Sequence, residues 1–278
     1  MSTHTTLTVP TRFVEVDNIR LAYRRWGKPG GLPLVFIQYF SANLDDWDPL
    51  VTEGFAADYD VILFNNAGVA SSGGETPSTV SEMTQHTVAF CDVLGLKEFN
   101  VVGFSLGGMI AQQLALDYPK RVRRIILLGT GPRGGEGMTF TELSAEERAD
   151  TDQFLLTAFF SPSDASQAAG RAYLKRLAAR TRDRDLAVSK KTAEAQLRAI
   201  REWGTVPSSN RYATLQNITH PTLIVHGNKD IVVLPINAFI LAEQLPNAQL
   251  IMYPDSNHGA HYQHAELFLK HAKLFLSA

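Results

Sequence analysis

A single cysteine, Cys91, stands among 278 residues. One thiol excludes an intrachain disulfide and leaves no cysteine cluster for zinc, so neither a stapled secreted scaffold nor a metal site is indicated. No apolar run approaches the roughly 20 residues that a membrane-spanning helix needs. Neither charge sign is in excess: 26 basic residues against 28 acidic ones give a formal net charge of -2. The two signs are interleaved along the chain, which offers no basic face to nucleic acid or anionic lipid. Internal repeats and low-complexity tracts are also missing. The stretch from Met1 to Pro10 is polar and threonine-rich and lacks the basic start and apolar core of a signal peptide, so cytoplasmic residence is expected. What is present is a globular composition, 45% hydrophobic and 19% charged, able to bury a large interior. The expected partner is a small molecule, and the oligomeric state is left open. Met83, Phe90, Cys91 and Leu94 recur at helical spacing, which makes Cys91 a core residue and not a nucleophile.

The patterning is that of an α/β protein. From Arg12 to Trp26 an alternating apolar pattern broken at Asp17-Asn18 predicts an antiparallel hairpin. Short continuous apolar runs follow at Leu34 to Ile37, Val61 to Phe64, Val101 to Gly103, Ile125 to Leu128, Leu223 to Val225 and Leu250 to Tyr253. Such runs suit parallel strands covered on both faces. Helix-period segments lie between most of them: Thr79 to Leu94, Leu106 to Tyr118, Pro235 to Gln244 and Ala265 to Leu276. Strand and helix therefore alternate, which predicts a mostly parallel, doubly wound sheet with its functional groups at the carboxyl ends of the strands. Residues 133–212 break the rule, carrying Leu155, Phe159, Leu174, Leu177, Leu197 and Ile200 in charged, helix-forming sequence with no strand-like run. This segment is expected to be a helical cap inserted into a core made of residues 1–132 and 213–278, with apolar residues tied to no catalytic position.

Chemistry concentrates at Gly103-Phe104-Ser105-Leu106-Gly107, a G-x-S-x-G turn that ends an apolar strand and opens a helix. A serine there is held out from the sheet on a sharp turn, above a helix N-terminus whose amides would face an oxyanion. A serine hydroxyl is a poor nucleophile without a base and an orienting acid. Both are found downstream, each just after a strand: Asp230 in His226-Gly227-Asn228-Lys229-Asp230 and His258 in Asp255-Ser256-Asn257-His258-Gly259. The order Ser105, Asp230, His258 matches a hydrolase triad. Asp255 competes for the acid position, but lies only three residues from His258. His261 and His264 belong with the last helix, and His226 closes its strand by hydrogen bonding. Gly129-Thr130-Gly131-Pro132-Arg133-Gly134 reads formally as a dinucleotide-binding loop, but Pro132, Gly135 and Gly137 oppose the helix that such a loop must open. No cofactor and no metal is assigned. The glycine- and serine-rich loop from Gly68 to Gly74 lacks the lysine of a phosphate cradle and is expected to shape the floor of the site.

From Phe13 to Leu276 the chain resembles the α/β-hydrolase superfamily, in the branch of esterases, cofactor-free haloperoxidases or perhydrolases, and carbon-carbon hydrolases. The resemblance is carried by the serine turn, by Phe64-Asn65-Asn66-Ala67-Gly68-Val69-Ala70-Ser71-Ser72-Gly73 and by His226-Gly227 with Asp230. It implies a serine esterase that uses a small substrate and water, with backbone N–H groups of Phe40 and Leu106 as the oxyanion hole. The chain departs from the family where His-Gly is usual after the third strand: here Gln38-Tyr39-Phe40 stands, with Gln38 expected to support the loop. Asn65 and Ala67 likewise replace a frequent aspartate and arginine. Perhydrolase chemistry, carbon-carbon hydrolysis and a non-catalytic ligand receptor use the same pocket and remain alternatives. Ser105 argues against dehalogenase or epoxide hydrolase chemistry, which on this fold takes a carboxylate nucleophile.

Overall fold

The protein is described by a computed structural model covering residues 4–138 and 151–278. The hairpin forms as the alternation predicts: β1 (Arg12–Val16) pairs antiparallel with β2 (Ile19–Gly27). Its turn residues Asp17 and Asn18 both have positive φ, 48° and 62°, the signature of a turn whose twist matches the flanking strands. Six more strands follow: β3 (Pro33–Ile37), β4 (Asp60–Phe64), β5 (Phe99–Phe104), β6 (Val122–Leu128), β7 (Thr222–Gly227) and β8 (Ala248–Tyr253). The eight lie in the order β1-β2-β4-β3-β5-β6-β7-β8. From β4 onward all pairings are parallel, and these strands contain the continuous apolar runs read from the sequence.

Strand order changes direction between β3 and β5, because β4 lies on one side of β3 and β5 on the other. A crevice opens at the carboxyl ends of two strands so placed. Ile37 pairs with Gly103 there, so residues 38–40 and the serine turn leave the sheet side by side.

Two hydrophobic clusters cover the sheet, one on each face. Val102 and Phe104 of β5 enter the first and Val101 the second, as strand alternation requires. On the first face lie α1 (Pro49–Ala56) and the last helix, and on the second lie α2 (Val80–Val93), α3 (Leu106–Asp117) and a later helix, Ile236–Gln244. Helix α1 escaped the sequence reading, although Asp48 caps it through Leu50 N–H at 2.9 Å and Pro49 occupies its first position. Cys91 is fully buried in the second cluster.

Between β6 and β7 the described residues form α4 (Thr151–Phe159), α5 (Asp164–Leu177) and α6 (Lys190–Gly204). Part of the expected cap, residues 139–150, lies outside the described residues. Contacts from this region reach several loops that follow parallel strands. Gln196 Oε1 accepts from Ser41 N–H at 2.8 Å, Thr192 Oγ1 donates to Gly68 O at 2.6 Å, and Trp203 Nε1 donates to Gly131 O at 3.2 Å. The helices therefore sit across the carboxyl edge of the sheet. Their apolar residues build no separate core among the described residues: Leu155, Phe159 and Leu177 join the first cluster, Ile200 and Trp203 the second.

The coil between α5 and α6 is fastened by carboxylates. Asp185 accepts from Asn65 Nδ2 at 2.6 Å, from Leu44 N–H at 3.1 Å and from the Ser71 amide and hydroxyl. Arg24, buried, pairs with Asp45 at 2.6 Å, and Asp45 in turn accepts from Asp185 N–H at 2.8 Å. The loop after β4, which carries asparagine in place of the family's usual aspartate, thus receives its carboxylate from a segment 120 positions away.

The remaining helices are α7 (Ile236–Gln244), the short α8 (Ala260–Gln263) and α9 (Ala265–Ser277). No helix among the described residues is long and apolar enough to cross a membrane.

Candidate active site

Ser105 follows β5 and precedes the first residue of α3, with φ 52° and ψ -114°. This conformation costs a non-glycine residue free energy, so the surroundings must hold it in place. They do so through Ser105 N–H donating to Leu128 O at 2.9 Å and Ser105 O accepting from Gly108 N–H at 2.9 Å and Thr130 Oγ1 at 2.8 Å. The hydroxyl makes no cap bond to its own helix. The flanking glycines are required by space: a Cβ on Gly103 would lie 2.3 Å from Gly107 O, and one on Gly107 would lie 2.0 Å from Ile37 O. No side chain fits at these separations from backbone. Gly107 also abuts Gln38 O, so the start of α3 is pressed against the 38–40 loop.

His258 lies in the loop after β8, 3% exposed, and Asp230 in the loop after β7, 2% exposed. Asp230 Oδ2 meets His258 Nδ1 at 2.8 Å. A carboxylate oxygen accepts, so Nδ1 carries the proton and Nε2 keeps its lone pair. The other oxygen, Oδ1, accepts from the amides of Val232 and Val233 at 2.8 and 2.9 Å. Burial alone would raise the Asp230 pKa, but the charge on a protonated His258 and the bonds from His226 and His258 hold it well below the ordinary carboxylate range.

Sequence reasoning placed His226 at a strand end and missed its second contact. Its Nε2 lies 2.8 Å from Val233 O and 3.1 Å from Asp230 Oδ2. Both neighbours only accept, so Nε2 carries a proton and is shared between them. Asp230 Oδ2 is therefore contacted by two imidazoles. The four-residue spacing from His226 to Asp230 across a turn was the available signal.

The competing residues are engaged elsewhere. Asp255 accepts from Ser161 Oγ at 2.7 Å, from Lys229 Nζ at 2.9 Å and from Ser163 Oγ, turned away from the imidazole. His261 is buried against Phe104, with ring centroids 4.5 Å apart, and burial pushes its pKa well down. His264 Nε2 meets Ser256 Oγ at 2.9 Å.

Gly129, from the loop that formally reads as dinucleotide-binding, has φ 48°, and a Cβ there would sit 3.1 Å from His258 Nδ1 and from the Phe104 ring. Its glycine makes room for the imidazole. The His258 ring packs against Phe104 at 4.9 Å and Phe159 at 5.8 Å between centroids. Tyr39 joins this wall, 4.9 Å from Phe104 and 5.3 Å from Phe159.

Phe159, against the His258 ring, departs from the expectation that the apolar residues of 133–212 are tied to no candidate catalytic residue. Where α4 ends, three successive carbonyls accept from the histidine loop: Thr157 O from Asn257 Nδ2 at 3.0 Å, Ala158 O from His258 N–H at 3.2 Å and Phe159 O from Gly259 N–H at 2.9 Å. Phe160 and Ser256 form an antiparallel bridge beside them. The loop carrying His258 is thereby held by the end of α4 as well as by β8.

In the 38–40 loop, Gln38 Nε2 donates to Asn43 O and closes the turn, while the Tyr39 side chain points into the aromatic wall. Phe40 follows the end of β3 and lies outside any strand. Among the described residues neither Phe40 N–H nor Leu106 N–H has a hydrogen-bond acceptor. No group of three or more His, Cys, Asp or Glu residues suited to a metal occurs among the described residues.

Comparison with known proteins agrees with this architecture. Residues 33–265 match the family described as the alpha/beta hydrolase fold. A solved α/β hydrolase fold protein from Chitinophaga pinensis is 40% identical, with TM-score 0.94 and coverage of 99% of this chain and 100% of that one. A poly(3-hydroxyalkanoate) depolymerase from Ectopseudomonas oleovorans is 30% identical over 88% of this chain and 85% of its own. A pimeloyl-[acyl-carrier protein] methyl ester esterase from Nitrosomonas europaea is 26% identical over 86% and 93%. The matched span, the sheet order and the serine turn lead to one conclusion: this chain belongs to the α/β-hydrolase fold family.

Proposed function

We propose that the protein is a serine hydrolase that cleaves a small ester or related acyl substrate through an acyl-enzyme on Ser105. The observation that carries this reading is the 2.8 Å bond between Asp230 Oδ2 and His258 Nδ1. It leaves Nε2 as the lone-pair nitrogen of an imidazole packed against Phe104 and Gly129, the immediate neighbours of the serine turn. The similarity to a methyl ester esterase favours an ester over other acyl compounds.

In the forward step Ser105 Oγ attacks the acyl carbon and its proton passes to His258 Nε2. Negative charge on the acyl oxygen is met by the Phe40 and Leu106 amides. Asp230 steadies the imidazolium. The proton then moves to the leaving alkoxide as the ester C–O bond breaks. Water repeats the cycle on the acyl-enzyme, releasing the carboxylic acid and regenerating Ser105. In this scheme α4 to α6 act as a cap over the acyl pocket, and Gln38 holds the oxyanion loop.

Treatment with a fluorophosphonate, followed by intact-mass and peptide mass spectrometry, tests the assignment. One adduct on Ser105 is expected, lost in Ser105→Ala. An adduct on another serine with Ser105 unmodified removes the basis for the reading.

A further inference from the structure

Beside the oxyanion loop lies a small cavity of about 20 Å³, lined by the polar residues Gln38, Asn65, Asn66, Thr76 and Gln196 and by Leu106 and other apolar residues. A space of this size accommodates one non-hydrogen atom with its hydrogens, since a water needs at least about 10–15 Å³ by this measure.

The polar lining has a defined orientation. Gln38 Nε2 faces the carbonyl of Asn43, and Asn65 Nδ2 faces the Asp185 carboxylate at 2.6 Å. Carbonyl and carboxylate oxygens only accept, so neither amide can be flipped. The atoms left over are Gln38 Oε1 and Asn65 Oδ1, and both are buried without a hydrogen-bond partner. Asn65 is itself 1% exposed. Gln196 is fixed in the opposite sense: its Oε1 accepts from Ser41 N–H at 2.8 Å, which leaves Nε2 as a donor. Asn66 is already engaged at both ends, with Met83 O and Ala67 N–H, and Thr76 Oγ1 donates to Thr192 Oγ1 at 3.2 Å. The unengaged groups are thus two acceptors and one donor, and none of the lining residues carries a charge.

Two orphaned acceptors in so small a space call for a donor. An ammonium group would be desolvated here with no carboxylate in the lining to compensate. A substrate hydroxyl fits, because its single O–H serves one of the two acceptors, Asn65 Oδ1, and its oxygen accepts from Gln196 Nε2. Leu106 lines the same cavity and is the residue next to Ser105. The geometry points to this cavity as a subsite for a single hydroxyl carried by the acyl part of the substrate, so that the preferred substrates are hydroxyacyl compounds. The inference deepens the reading of Ser105 as an acyl-transfer nucleophile and rests on it.

The test uses binding, so that its result is separate from turnover. Butyrate and 2-, 3- and 4-hydroxybutyrate serve as product analogues, with dissociation constants measured by ligand-observed NMR on the whole protein. At least one hydroxylated acid should bind about tenfold more tightly than butyrate, the scale expected when a site built for a hydroxyl would otherwise leave its own groups unpaired. Asn65→Leu and, independently, Gln196→Met should erase that advantage and leave butyrate affinity within about twofold. Gln196→Met keeps helix propensity and length, and it covers the case in which loss of the Asn65–Asp185 bond unsettles the loop. A crystal structure of the complex should show the hydroxyl oxygen in hydrogen-bonding range of Asn65 Oδ1. Equal binding of all four acids, an advantage that survives in Gln196→Met, or a water occupying the cavity while the hydroxy acid is bound would each overturn the subsite. Failure of Ser105 itself would appear separately, as loss of fluorophosphonate labelling with the binding preference intact.

Discussion

Asp230→Asn is the substitution whose outcome the hydrogen bonds constrain most tightly. All four neighbours of the carboxylate are donors: His258 Nδ1 and His226 Nε2 at one oxygen, Val232 and Val233 amides at the other. An asparagine must point its NH2 at one of these pairs. The two amides belong to backbone and cannot become acceptors, so the carboxamide oxygen stays with them and the NH2 faces the histidines. His226 keeps its proton on Nε2 through Val233 O. His258 can escape the clash only by moving its proton to Nε2 and accepting at Nδ1. The imidazole would then keep its place with the wrong nitrogen protonated, and Nε2 could not take a proton from Ser105. A tautomer error of this kind costs about 10,000-fold in turnover, about 5.5 kcal/mol of transition-state stabilisation. The assay is kcat for a 4-nitrophenyl ester, with the rate of fluorophosphonate labelling as a second readout, because labelling needs the same proton transfer. Asp255→Asn, which alters only contacts to Ser161, Ser163 and Lys229, should change kcat less than about twofold. A loss below about tenfold in Asp230→Asn, or a larger loss in Asp255→Asn, would refute the assignment of the acid.

The depressed Asp230 pKa also predicts an acid limb in stability. Below about pH 4 the unfolded chain takes up a proton that the folded carboxylate refuses, so stability rises with pH through this window and is lost as pH falls. Tm measured from pH 3 to pH 6 should fall more steeply at the acid end for the wild type than for Asp230→Asn, and parallel curves would contradict this. Gly107→Ala places a methyl 2.0 Å from Ile37 O, and because both sides of the clash are backbone the cost should reach about 3 kcal/mol or more in urea unfolding; a loss under about 1 kcal/mol would mean that the turn can open. Phe159→Ala should reduce kcat for every acyl length alike, because Phe159 supports the His258 ring, whereas changes farther along α5 should shift chain-length preference. A Phe159→Ala profile altered only in chain length would return α4 to the role of simple cover.

Much of the fold was legible because its signals are local. Apolar runs of three or four residues marked the buried parallel strands, and Gly-x-Ser-x-Gly marked the turn, since two backbone segments can approach that closely only without a Cβ. Asp230 and His258 were singled out by their position just after strands, a property of the doubly wound sheet and not of their own neighbours, and the structure brings the two side chains together. What escaped was carried by long-range partners. Nothing near Asn65 shows that its carboxylate arrives as Asp185, and the wall of Tyr39, Phe104 and Phe159 is assembled from three distant segments. His226 lay between these cases: its distance from Asp230 was in the sequence, but the bond depends on how sharply the chain turns after Gly227. The contacts between α4 and the histidine loop were not legible because their hydrogen bonds come from backbone, which composition does not reveal.

Those contacts bear on any attempt to exchange caps between members of this family. Cut points at 133 and 212 look clean on paper, since no residue of the proposed triad lies between them. A graft made there would nevertheless discard the carbonyls of residues 157–159, which meet the histidine loop about 100 positions downstream. The incoming segment would have to supply the same three acceptors at the same pitch, or the His258 loop would lose one of its two supports. A chimera that retains residues 157–160 of the recipient and exchanges only the helices beyond them leaves the His258 loop and its contacts native, so the natural joint for modular design lies within 133–212 and not at its ends.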